Sequence, residues 1–291
     1  DEVDTSAYLF VHFVGSEKQA TDEQIYFSTS TDGLNWSTLN NGSPFLTNTV
    51  SNENGVRDPY ILRGEDNDYY IIATDLSIVN GNTKNWSTCQ TKGSRNIIVW
   101  SDLKTWTCNT MEAMPEDYGC VWAPEAIYDS EKGEYMVFWA SKVKSDNYAK
   151  QRIYYRYTKD FKTFTTEPQI YIERDHSMID TTIVQDKGVY YRFTKDESSK
   201  YVFMEKCATL HGDWKEVATY NHKETGFEGP TIYKRNNSEE WCLMLDNYSK
   251  GGYKPFVTSN LKNGVFSNAG DIKFDGTYRH GTVMPITQAE Y

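Results

Sequence analysis

Short, dense apolar runs recur along the chain, separated by polar, turn-forming stretches. Residues 69–74, 134–141, 189–195 and 240–246 are packed with aromatic and branched side chains. Such runs read as strands rather than helices, because no segment sustains i, i+3, i+4 periodicity. Each run is preceded by a short motif ending in isoleucine: Arg57-Asp-Pro-Tyr-Ile61, Ala123-Pro-Glu-Ala-Ile127, Ile179-Asp-Thr-Thr-Ile183 and Glu228-Gly-Pro-Thr-Ile232. A fifth copy is Arg279-His-Gly-Thr-Val283, and the copies are spaced by 66, 56, 49 and 51 residues. Each of the first four runs is followed by a third strand candidate, at 95–101, 152–158, 201–207 and 255–259. A fourth unit is read at Asp102-Leu-Lys-Thr-Trp-Thr107, Asp160-Phe-Lys-Thr-Phe-Thr165 and Gly212-Asp-Trp-Lys-Glu216.

A four-part unit repeated at such periods signals a repeat architecture. The amino terminus supplies the second, third and fourth strands of a fifth unit, at 8–13, 24–30 and 33–37, and residues 279–286 supply its first. The expected fold is therefore all-β: a five-bladed β-propeller with four strands per blade. Pairing the C-terminal strand 279–286 with the N-terminal strands closes the ring and leaves no open edge at the seam. An irregular β-sandwich also gives many short strands, but does not explain a recurring four-part unit. No linker or low-complexity tract interrupts 1–291, which is read as a single domain.

Composition narrows the partners. Thirty Lys and Arg against 41 Asp and Glu give a net charge of −11, which argues against a nucleic acid or an anionic membrane. No apolar run approaches the ~20 residues of a membrane helix. The five cysteines fall in no metal-binding spacing; Cys89, Cys108 and Cys120 could form one disulfide, or all could be buried thiols.

Aligning the five motifs on their last residue brings Asp58, Pro124, Asp180, Gly229 and His280 to one position. The first strand of each propeller blade lines the central channel, so these residues converge, with Glu228 and Glu125 one residue away. Carboxylates that meet in a dry channel repel each other and shift their pKa values. Glycosidic cleavage uses such a set: an acid for the leaving oxygen, a second carboxylate for water or direct attack, and a third that tunes the acid.

The motifs Val56-Arg-Asp-Pro-Tyr60, Val121-Trp-Ala-Pro-Glu125, Met178-Ile-Asp180, Phe227-Glu-Gly-Pro230 and Arg279-His-Gly-Thr282, in this order over nearly the whole chain, resemble the family 43 glycoside hydrolases. That family consists of five-bladed propellers that invert anomeric configuration. The resemblance implies that Asp58 is the general base, that Asp180 stays ionised and tunes and orients the acid, and that Glu228 is the general acid. Inversion would set the acid and base carboxyls ~6.5–9.5 Å apart. The family histidine matches His280, beside which a calcium ion held largely through waters is often found in the channel; no cofactor is required for the chemistry. Two departures stand out: Glu125 replaces the usual aspartate, and Thr181 replaces a proline.

The resemblance further implies an arabinose-, xylose- or galactose-containing plant polysaccharide as substrate. Trp122 is the first candidate for sugar stacking, followed by Phe227 and Trp86, with Arg279 and Glu125 as further contacts. Long segments at 75–94 and 111–119 would wall off a pocket and favour exo action. The activity expected first is α-L-arabinofuranosidase, then β-xylosidase or exo-β-1,3-galactanase. A non-catalytic carbohydrate-binding propeller would keep the aromatics but need no acid triad. A fructan hydrolase would carry an Asn-Asp-Pro nucleophile, which is not found, and a sialidase would need an arginine cluster. A polysaccharide substrate implies an extracellular, secreted protein, expected to be monomeric.

Overall fold

The structure, a computed structural model, describes residues 4–291 apart from 16, 82, 84, 103 and 104. The chain begins with three strands, β1 (Ala7–Phe13), β2 (Tyr26–Ser30) and β3 (Asn35–Thr38). Four four-stranded meanders follow. Blade one holds β4 (Val56–Arg63), β5 (Tyr69–Asp75), β6 (Asn96–Asp102) and β7 (Thr107–Glu112). Blade two holds β8 (Trp122–Asp129), β9 (Glu134–Ser141), β10 (Arg152–Thr158) and β11 (Gln169–Ile172). Blade three holds β12 (Met178–Asp186), β13 (Val189–Asp196), β14 (Tyr201–Cys207) and β15 (Lys215–Glu216). Blade four holds β16 (Glu228–Lys234), β17 (Trp241–Asn247), β18 (Gly252–Thr258) and β19 (Ser267–Asn268). The chain ends with β20 (Lys273–Phe274) and β21 (Arg279–Ile286). Among the described residues, helix is confined to three-residue 3₁₀ turns.

The innermost strands β4, β8, β12, β16 and β21 neighbour one another in a closed circle, which makes the molecule a five-bladed β-propeller. The fifth blade is assembled from both ends of the chain. β21 pairs antiparallel with β1, from Ala7↔Ile286 to Phe13↔Arg279. The sequence did not reveal β20, which runs parallel to β3 on the outer side of the same blade, Lys273 opposite Asn35. The C-terminal segment therefore grips the N-terminal meander at both edges. Asp275 adds hydrogen bonds from the Thr38 backbone N–H and hydroxyl, each at 2.8 Å.

The apolar runs are dense because a propeller strand is buried on both faces. In β9, Tyr135, Val137 and Trp139 point to the core between blades one and two, while Met136, Phe138 and Ala140 point to that between blades two and three. Among the described residues the core divides into five such clusters, one at each blade–blade boundary. Each fully buried large side chain contributes about 1.5–3 kcal/mol.

The repeated Asp-containing segments are turns that lead into the fourth strands: the 212–216 copy ends in β15 and 33–37 runs into β3, whereas at 160–165 the strand starts later. Asp160 accepts from the N–H groups of Lys162 (2.9 Å) and Thr163 (3.2 Å), and β11 starts only at Gln169. Asp32 caps the turn before β3 in the same way, accepting from Leu34 and Asn35 at 2.8 Å. The copy at 102–107 includes residues 103 and 104, outside the described residues, and its strand is β7. All five cysteines are free thiols.

Candidate active site

Each inner strand carries a register shift just where its motif lies. The shifts fall between Arg57 and Tyr60, Trp122 and Glu125, Ile179 and Thr182, and Glu228 and Thr231. The first residue inside each bulge has a left-handed backbone: Asp58 (φ 53), Ala123 (φ 50), Asp180 (φ 55) and Gly229 (φ 52). A bulge twists its strand and re-aims side chains, and bulges concentrate beside active sites. The corresponding shift on β21 lies between Arg279 and Thr282, which places His280 at the same level.

This register corrects the alignment in blade two. Aligned by the bulge, Ala123 rather than Pro124 stands level with Asp58. Three rings result. The upper ring is Arg57, Trp122, Ile179, Glu228 and Arg279, all of which line one cavity of about 340 Å³. The middle ring is Asp58, Ala123, Asp180, Gly229 and His280. The lower ring is Tyr60, Glu125, Thr182, Thr231 and Thr282.

In the middle ring, His280 Nδ1 stands 3.1 Å from Asp58 and 3.8 Å from Asp180, while Nε2 stands 3.9 Å from Glu125. Burial would discharge this imidazole, but Asp58 and Asp180 outweigh it and raise its pKa well above the ordinary value. Burial also disfavours the Asp58 carboxylate, yet His280, Arg57 and the Thr74 hydroxyl at 2.9 Å hold its pKa below the ordinary value. Asp180 accepts from the Gly229 N–H at 3.0 Å. Burial pushes its carboxyl up to about 7, with the His280 charge opposing and Glu228 and Asp58 adding to the rise. The carboxylate form of Asp180 therefore costs more here than in solvent, and the His280 charge offsets part of that cost.

Glu228 is flanked by cations. Lys195 Nζ lies 3.2 Å from Oε2 and Arg279 lies 3.7 Å from Oε1. Burial still raises its pKa, against Lys195 and Arg279, with Asp246 adding to the rise. Arg279 is itself committed to Asp246 through Nε at 2.9 Å and to the Gly15 carbonyl at 2.6 Å. Side-chain exposure is 22% for Glu228, 18% for Asp58 and 8% for Asp180; of the three, Glu228 lines the cavity, and Asp58 and Asp180 lie one level below it.

The aromatic wall of the cavity is Trp122 from β8 and Trp86 from the long segment after β5, edge to face at 5.8 Å. Gln90 and Gln151, joined at 3.3 Å, also line the cavity, as does the charged group of Lys195, Glu197 and Lys200 with Tyr248. The Trp86 segment is anchored by a buried carboxylate that the motifs did not disclose. Glu23 accepts from the N–H groups of Ile78 (2.9 Å) and Val79 (3.0 Å), the Ser77 hydroxyl (2.9 Å) and the Arg57 guanidinium (2.9 Å). The guanidinium carbon of Arg57 in turn lies 4.8 Å from the Trp86 ring.

Three of the expected contacts lie elsewhere. Phe227 is 6% exposed and packs edge to face on Phe256 in the core between blades three and four. Glu125 is buried in the lower ring, because the bulge at Ala123 sends Trp122 up and Glu125 down. Burial pushes its carboxyl up to about 7 against hydrogen bonds from His280 and Thr182. The 111–119 segment does not line the cavity: Met111 and Met114 are core, and Tyr118 packs on Tyr154. Lys195 and Gln151, conversely, were missed. Lys195 ends the 189–195 run, which also holds Arg192, so the run itself did not single it out.

The middle ring does not fit a directly ligated calcium. Its histidine is held charged between carboxylates, and a protonated imidazole has no lone pair to offer. Among the described residues no group of three or more His, Cys, Asp or Glu is arranged to hold a metal ion.

Comparison with known proteins gives the chemistry a family. An α-L-arabinofuranosidase of Bifidobacterium longum subsp. longum is 29% identical over 312 aligned positions, covering 88% of this chain and 28% of that protein. The chain thus spans under a third of the relative's length. An exo-1,5-α-L-arabinanase from a bovine ruminal metagenomic library superposes with a TM-score of 0.56 at 14% identity, over 88% of this chain and 90% of the other. A thermostable family-43 glycoside hydrolase superposes with a TM-score of 0.53 at 18% identity, over 77% and 75%. These two likenesses speak to the fold. The family profile described as a probable glycosyl hydrolase domain, related to family 43, matches residues 4–291. With that match across the chain, the protein belongs to the family-43-related glycosyl hydrolases.

Proposed function

We propose that the chain is the catalytic unit of an inverting, exo-acting α-L-arabinofuranosidase that trims plant polysaccharide side chains. The observation that carries this reading is the middle and upper rings of bulged strands, which bring Asp58, Asp180 and Glu228 to one end of the channel beneath a single cavity. At about 340 Å³ that cavity sits at the small end of the ~300–1,000 Å³ typical of small-molecule sites, which suits one terminal sugar better than a running chain. The named arabinofuranosidase among its relatives supports the choice of sugar.

In this reading Glu228 gives its proton to the glycosidic oxygen as the bond from that oxygen to the anomeric carbon breaks. Asp58 takes a proton from the water that attacks the opposite face. The products are the free sugar and the alcohol, and solvent returns the proton from Asp58 to Glu228. Asp180 stands behind the pair and shares a coupled titration with Glu228. The sugar's apolar face rests on Trp86 and Trp122, and its hydroxyls face Gln90, Gln151 and the charged group. Export to the cell exterior follows from the size of such substrates.

The test is hydrolysis of α-L-arabinofuranosides, β-D-xylosides and β-D-galactosides by wild type and Glu228→Gln, with the product anomer read by proton NMR. Release of the inverted sugar from the arabinofuranoside, lost in the variant on a natural glycan, is expected. Retained configuration, or turnover of another sugar alone, overturns the assignment.

A further inference from the structure

Lys195 belongs to none of the motifs, yet it is the nearer of the two cations beside Glu228. Its side chain is 3% exposed on β13, at the position paired with Ile179 of the upper ring. Three features fix the ammonium. It donates to Glu228 Oε2 at 3.2 Å, it meets Glu197 Oε1 at 2.7 Å, and it lies 4.7 Å from the centre of the Tyr248 ring. Glu197 is held from its other oxygen by Lys200 at 3.1 Å. An ammonium so placed cannot leave without stranding a buried charge.

We propose that Lys195 is a positioning residue for the acid, fixing which Glu228 oxygen carries the proton and stabilising the carboxylate that forms as the proton leaves. The inference rests on the reading of Glu228 as general acid. An ammonium has three donors and no acceptor, so Oε2, which faces it, cannot hold the proton toward it. The transferable proton is assigned to Oε1, whose contact with a cation, Arg279 Nη2, is the longer one at 3.7 Å. Arg279 does not take the place of Lys195: its Nε and Nη1 are spent on Asp246 and Gly15, and its Nη2 stands 3.7 Å from Oε1. As the proton passes to the glycosidic oxygen, negative charge grows on Glu228 3.2 Å from a fixed positive charge in a dry wall, the arrangement that favours the transition state over the ground state.

The remaining charges that bear on Glu228 come from every neighbouring element. Asp180 on β12 and Asp246 on β17 raise the cost of ionisation; Arg279 on β21 lowers it. Glu197, one residue beyond β13, acts through Lys195. Two substitutions on this network thus have opposite signs. Lys195→Met removes the cation and keeps the stem, so ionising Glu228 becomes harder. Glu197→Gln removes the competing anion, so Lys195 turns wholly to Glu228 and ionising it becomes easier.

The test is the pH profile of kcat/KM for a natural arabino-oligosaccharide and for an aryl arabinofuranoside. Lys195→Met is expected to move the alkaline limb up by about 1–3 units, as loss of an opposite charge at this distance does. It is also expected to lower kcat on the oligosaccharide by on the order of 10²-fold, with a smaller loss on the aryl substrate, whose leaving group needs little protonation. Lys195→Arg should keep the limb in place. Glu197→Gln, a change at a partly open residue, should move the limb down and decides the matter should the buried Met variant fail to fold. Limbs that stay put in the Met and Gln variants, or losses equal for both leaving groups, overturn the proposal. Failure of the underlying reading looks different: if Glu228 is not the acid, Glu228→Gln itself keeps the alkaline limb and loses equally on both substrates.

Discussion

Gly229→Ala should uncouple the channel from its chemistry, and the structure sets the size of the effect. A Cβ built at Gly229 would lie 2.6 Å from His280 Cγ and 2.9 Å from both Cβ and Nδ1 of the same ring. The ring cannot step aside. It is held 3.1 Å from Asp58, and its own backbone N–H donates to Asp246 at 3.1 Å. Gly229 cannot retreat either, because its N–H donates to Asp180 at 3.0 Å and its carbonyl accepts from the Tyr253 hydroxyl at 2.6 Å. The left-handed backbone is a smaller matter, since Asp58 and Asp180 adopt the same conformation with side chains. Overpacking costs about 1–3 kcal/mol and the left-handed alanine about 1–2 kcal/mol, giving an expected loss of about 2–5 kcal/mol. Gly133→Ala is the control. Its φ is +67, but its Cβ would meet only the Tyr128 hydroxyl at 3.9 Å, so the conformational cost of about 1–2 kcal/mol stands alone. Urea unfolding of both variants, with kcat/KM alongside, separates the two terms. Equal unfolding midpoints, with full activity in Gly229→Ala, would refute the claim that His280 is pinned at the centre of the site.

Other outcomes follow from the same geometry. The rate should rise with pH through the depressed pKa of Asp58 and fall through the raised pKa of Glu228, so a pH–rate profile should show a broad bell whose alkaline limb lies above the ordinary carboxylate range. Glu125 is pushed up to about 7 by burial, so between 4.5 and 7 the folded protein holds a proton the unfolded chain has lost, and stability falls as pH rises; Glu125→Gln should flatten that slope in denaturation series. Glu23→Gln leaves Arg57 half-paired under the Trp86 segment and should cost about 3–5 kcal/mol, with a raised KM, in unfolding and kinetic assays. Phe227→Ala should cost about 3–5 kcal/mol with KM unchanged, whereas Trp122→Ala should raise KM and leave the unfolding midpoint close to wild type.

The sequence carried the architecture on its own because a propeller repeats. Dense apolar runs at regular spacing, each behind a similar motif, specify strands buried on both faces, and the motif at 279–283 tells where the ring closes. The three carboxylates were legible for the same reason: motifs in order place Asp58, Asp180 and Glu228 on inner strands whatever the details of packing. Tertiary structure decided what one-residue offsets and long-range pairings control. A bulge at Ala123 turned Glu125 from the cavity into the channel, because inserting one residue flips the alternation of every side chain beyond it. Phe227, beside Glu228 in sequence, faces the core for the same reason of alternation. Lys195 and Glu23 act on the site from strands and segments 33 and 34 residues away from the groups they hold, Glu228 and Arg57, and no local pattern announces such partners. The protonation of Asp58, Asp180 and Glu228 belongs to that assembly as well, since burial and neighbouring charge exist only once the five blades have closed.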